Sequence, residues 1–183
     1  MTRSSAATNG TLRELGSVVD AAPSAKEGWK NIIRWVSGRS GLDSTQLPSI
    51  DIEEESEKLT SQLAAALSNH PIPQEIRFLY FGLYEMADHR CGFYVSGGER
   101  APENPTALTD SSLTHPERVY LHSRLLDELL RKSKEVPELD SWFGYALSWG
   151  AAAILAKYSA RAVGLSQELL IGFDSGDVER IKS

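Results

Sequence analysis

Apolar positions recur at helical spacing through the first seventy residues and then switch to strand-like runs. In the segment Thr11 to Ala21, the residues Leu12, Leu15, Val18 and Val19 share one face, which predicts a short helix stopped by Pro23. Ser24 with Glu27 three residues on has capping-box form, and Trp29, Ile32, Ile33 and Val36 continue the helical period behind it. Gly38 is the expected stop, and a polar connector leads to Ser49. A third helix is predicted from Asp51 to Asn69, with Ile52, Leu59, Leu63, Ala66 and Leu67 as its apolar stripe.

Pro71 and Pro73 break that helix, and the aromatic run from Ile76 to Met86 is apolar on both faces, as an interior strand is. Gly82 within it predicts a bulge or a close backbone approach. Residues 87–90 read as a turn, and Cys91 to Ser96 as the returning strand of a hairpin. An aperiodic stretch from Gly97 to Glu117 follows, then a short strand at Val119 to Leu121. Ser123 caps a helix to about Lys134, with Leu125, Leu126, Leu129 and Leu130 on its buried face.

The next helix, about 140–163, carries no charge over 141–156 and is apolar nearly all round. A helix of that kind is buried on most sides, and its uncharged part falls short of the roughly 20 residues a bilayer needs. It is therefore expected at the centre of the fold. Leu169 to Phe173 and Val178 to Ile181 read as two last strands around an Asp–Ser–Gly–Asp turn.

The predicted class is α+β: a small, mainly antiparallel sheet packed against several helices, with one central buried helix. The expected organisation is a disordered tail over 1–10, a helical extension over 11–50 and an α+β domain over 51–183, the last two forming one compact unit.

Composition narrows the function. Lysine plus arginine is 19 and aspartate plus glutamate is 25, a net charge of −6. Phosphate backbones repel such a chain, so the expected partner is a basic protein rather than nucleic acid or a membrane. Cys91 is the single cysteine, which excludes an intrachain disulfide and a thiolate zinc site and suits the cytoplasm. No cofactor motif is present: there is no Walker A string, no G-x-S-x-G elbow and no H-E-x-x-H.

Several small groups could carry chemistry. His89 and Cys91 are two apart, the spacing of one strand face, so a cysteine nucleophile with a histidine base is one option. A turn histidine beside a packed thiol is the other. His115 and His122, with Asp110 and Glu117, hold metal-ligand atoms but lack helical ligand spacing, and no metal is expected there. Asp174 and Asp177 fit turn chemistry without a cation. Arg131, Lys132 and Lys134 complement a helix C-terminus.

The strongest charged feature is the acidic start of the third helix, Asp51, Glu53, Glu54, Glu55 and Glu57. It suits the positive end of a helix dipole and also a docking surface for a basic partner. Glu99, Glu103 and Asp110 on the long loop extend the same expectation. Of the tryptophans, Trp29 and Trp142 read as core, and Trp35, off the main stripe, as the one closest to the surface.

Four pieces carry a resemblance: Ile76 to Glu85, the strand ending Val95-Ser-Gly-Gly98, Arg118 to Leu121 before a helix, and Leu170 to Asp177. Over about 52–182 the chain resembles small bacterial cytoplasmic proteins of the toxin-immunity type. The resemblance implies a non-catalytic protein that sequesters a basic toxin domain, and it transfers no catalytic residue. The other readings are an enzyme using His89 and Cys91 or Asp174 and Asp177, and a structural subunit that forms a homo-oligomer.

Overall fold

The computed structural model describes residues 5–85, 90–109, 112–113, 115–136, 142–173 and 177–182. Helices α1 (Ser5–Ala21), α2 (Ala25–Ser40) and α3 (Ile52–Asn69) precede the hairpin β1 (Phe78–Glu85) and β2 (Cys91–Gly98). Strand β3 (His115–His122), helices α4 (Arg124–Glu135) and α5 (Trp142–Ala162), and strands β4 (Glu168–Phe173) and β5 (Val178–Ile181) complete the order. The five strands form one sheet in the order β3-β2-β1-β4-β5. Its pairs are antiparallel except β1 with β4, which run parallel through the α4–α5 crossover.

Helices α1 to α5 pack on one face of the sheet. Leu79, Phe81, Phe93, Leu121, Leu169 and Ile171 join the helices in one core there, and Trp149 of α5 donates its indole N–H to Ile171 O at 3.3 Å. Nearly every position of α5 from Ala146 to Ala156 is buried, as its lack of polar faces predicts. Gly150 makes room for Ile32 of α2: a Cβ there would come within 2.7 Å of Ile32 Cγ2. Leu12, Leu15, Val19, Trp29 and Val36 belong to this same core, so α1 and α2 pack on the sheet domain.

The opposite face of the sheet carries Phe78, Tyr80, Tyr94, Leu170 and Val178, covered by Ala101, Leu108 and Leu113 of the long loop. Arg180 holds that loop by donating to Pro102 O at 2.8 Å and pairs with Glu168.

Helix ends follow local chemistry. Ser24 accepts from Glu27 N–H at 3.2 Å, but the Glu27 carboxylate turns to Lys30, so the expected box is half formed. Asp51 caps α3 by accepting from Glu53 N–H, and Ser123 caps α4 by accepting from Leu126 N–H.

Three boundaries differ from expectation. α1 begins at Ser5, so helix extends into the part of 1–10 read as a tail. α2 runs through Gly38 and ends at Gly41, whose φ of 74° supplies the left-handed cap. β3 is longer than residues 119–121, and it tolerates Pro116 because it is an edge strand. The turn expected at 87–90 falls largely outside the described residues.

Candidate functional site

The acidic start of α3 divides by helical period. Asp51, Glu53, Glu54 and Glu57 are exposed, whereas Glu55 is 4% exposed and points inward. Glu55 Oε1 accepts from Ser123 Oγ at 2.9 Å and from Leu125 N–H at 3.2 Å. It is a carboxylate at the N-terminus of α4, where the dipole and the first amide protons favour negative charge. Glu55 therefore leaves the set of residues that a partner could touch.

The outward carboxylates are partly matched within the chain. Glu54 pairs with Lys58 at 2.6 Å and Glu53 with Lys26 at 3.8 Å, both in exposed positions. Such pairs contribute little to stability and exchange readily for a partner's charge. Glu53 and Glu57 also border an open groove of about 530 Å³ beside Pro23, Ser24, Tyr158 and Arg161. Its floor is fixed because Tyr158 donates its hydroxyl to Ala22 O at 2.7 Å.

Glu99 and Glu103 are exposed on the long loop. That loop covers the face of the sheet opposite α3, so the structure does not bring these carboxylates together with the helix row. Asp110 lies outside the described residues.

A second polar group sits at the hairpin end of the sheet. His122 Nε2 donates to Asp127 Oδ2 at 2.6 Å, and Cys91 N–H donates to the other oxygen, Oδ1. Asp127 of α4 thus clasps β2 and β3 at once. Burial, with Glu85 and Asp127 nearby, pushes the Cys91 thiol up to about 12. A thiol so raised is protonated at neutral pH and is a poor nucleophile. His89, its suggested base, lies outside the described residues. Among the described residues no cluster of three or more His, Cys, Asp or Glu side chains is placed to hold a metal.

Asp177 Oδ2 accepts the Tyr145 hydroxyl at 2.7 Å, and Tyr145 stacks on Phe173 with ring centres 4.1 Å apart. This contact ties α5 to the end of β4. Asp174 lies outside the described residues. Arg131 pairs with Glu128 and Glu135 and Lys132 with Glu135 along α4, while Lys134 meets Glu85 of β1 at 3.9 Å. No helix among the described residues is long and apolar enough to cross a membrane.

Comparison with known protein families, with curated proteins and with solved structures finds no match to this chain.

Proposed function

We propose that the protein is a non-catalytic binding protein that sequesters a basic protein partner. The observation that carries this reading is the exposed carboxylate row Asp51, Glu53, Glu54 and Glu57 on the first turns of α3, bordering an open groove in a chain of net charge −6. Complementary charge steers encounter and sets partner choice. The resemblance over 52–182 names the partner class: a bacterial toxin domain, with this chain as its cytoplasmic immunity protein. This reading takes the α3 side as the contact, because Glu99 and Glu103 belong to the loop that covers the other face of the sheet.

The test is capture from source-cell lysate with wild-type protein and two charge-reversed variants. Glu53→Lys with Glu54→Lys should lose a salt-sensitive basic partner, whereas Glu99→Lys with Glu103→Lys should keep it. Equal retention by both variants, or a partner indifferent to salt, sinks the proposal.

A further inference from the structure

A groove of opposite sign opens between α1 and α2. Its volume is about 570 Å³. The floor is apolar, made by Val18 and Ala21 of α1 and the Trp35 ring of α2. The cationic side chains are Arg34 and Arg39. Helical spacing places them: Trp35 and Arg39 are four apart on one face, so the Arg39 guanidinium lies over the indole at 4.0 Å from its centre. Trp35 is half-buried against the core, so its ring is held by packing.

These charges are only lightly committed. Arg39 meets Glu14 at 3.4 Å with both side chains half exposed or more, a pair worth little in water. Arg34 gives one of its donors to Asn31 at 2.9 Å. A guanidinium carries five donors in a fork that fits a carboxylate. Tryptophan and arginine are also the residues most often decisive at interfaces. The groove is open to solvent.

We propose that the α1–α2 groove docks an acidic segment of a partner protein. An apolar side chain of that segment seats on Val18, Ala21 and Trp35, and flanking carboxylates pair with Arg34 and Arg39. The site lies on different residues from the α3 row and stands whether or not that row binds a basic partner.

The probe is a short synthetic peptide of glutamates interrupted by single leucines, titrated against the full chain at low and high salt. Trp35 emission and calorimetry are the readouts. Saturable binding is expected, weakened by salt and reduced about tenfold or more in Arg34→Glu with Arg39→Glu. Trp35→Phe should abolish the emission change while calorimetry still reports binding. Arg39→Gln alone, a milder change on an exposed side chain, should weaken binding in the same direction if the double variant fails to fold. The proposal is overturned by no saturable binding at low salt, by equal binding of a lysine-and-leucine peptide, or by an unchanged affinity in the arginine variants. A dimer of the free protein that the same variants dissociate would also overturn it, by giving the groove to a second copy. Failure here leaves the α3 proposal intact, since its variants touch no residue of this groove.

Discussion

Glu55 on α3 and Ser123 at the start of α4 share a buried hydrogen bond of 2.9 Å, so one helix supplies part of the other's cap. The carboxylate also takes Leu125 N–H, which would otherwise be an unmet donor at the helix end. Two contacts to a buried charge carry more than an exposed ion pair does. Glu55→Ala should therefore cost about 2–3 kcal/mol of stability. Glu54→Ala, whose partner Lys58 is exposed, should cost less than about 0.5 kcal/mol. Denaturant unfolding of the two variants gives the comparison, and equal losses would refute the inward role of Glu55.

The raised Cys91 thiol makes a chemical prediction. At pH 8 a group with a pKa near 12 is almost wholly protonated, so alkylation in the folded protein should be far slower than for a free thiol. Unfolding in denaturant should restore the ordinary rate. The linkage has a definite sign. The folded state binds the proton more tightly, so this stability is fully present below the unfolded value of about 8.5 and is lost as pH rises toward 12. Fast, selective labelling of native Cys91 at neutral pH would contradict the burial argument and revive a nucleophilic role.

Gln62 closes part of an open sheet edge. Its side-chain carbonyl accepts from His122 N–H at 2.8 Å and its amide donates to His122 O at 2.9 Å, the two bonds a further strand would make. Next to this rung Tyr120 is 60% exposed, so the edge also presents an aromatic surface. Unprotected edges of that kind recruit other chains. Gln62→Ala should cost about 1–2 kcal/mol and promote self-association. Sedimentation would detect it, and a strictly monomeric variant of unchanged stability would show that the amide does not guard the edge.

Sequence reading reached elements whose signal is local and missed those decided by distant partners. The central helix was legible because the run 141–156 has no charge to place in water. The parallel pairing of β1 with β4 was not, since nothing in either strand names its neighbour. Gly82 was read as a bulge or a close approach, and it is the latter: β1 and β2 stay in register, and a Cβ there would fall 2.3 Å from the Tyr94 ring. The bulge lies instead between Val95 and Gly97, facing β3. At the candidate site, the inward turn of Glu55 did have a signal. It sits three residues after Ile52 and four before Leu59, on the apolar stripe of its own helix. The His122–Asp127 contact had none, because it joins a strand end to a helix across the Ser123 cap.

Lys157 is the remaining buried charge with a pH-dependent consequence. It lies 5% exposed on α5 and donates to the last carbonyls of α1, Val19 O at 3.0 Å and Asp20 O at 3.1 Å. A cation at a helix C-terminus is favourable, and Asp20 supports it from 4.0 Å. Burial nevertheless dominates and pulls the ammonium below the ordinary lysine value. Between the depressed folded value and the unfolded value of about 10.4, the unfolded chain binds more protons, so this contribution to stability rises with pH. Below both values the penalty is constant. Lys157→Met removes the titrating group and leaves the two carbonyls without their cation. The stability of the wild type relative to this variant should increase as pH is raised from neutral toward about 10.4. Hydrogen exchange at the α1 C-terminus should also accelerate in the variant, because Val19 O and Asp20 O lose their shared donor, leaving Tyr158 on Ala22 O and the Lys182 N–H on Asp20 Oδ1 to hold that end. A difference in unfolding temperature that stays flat with pH would mean that the Lys157 ammonium pays no penalty for its burial.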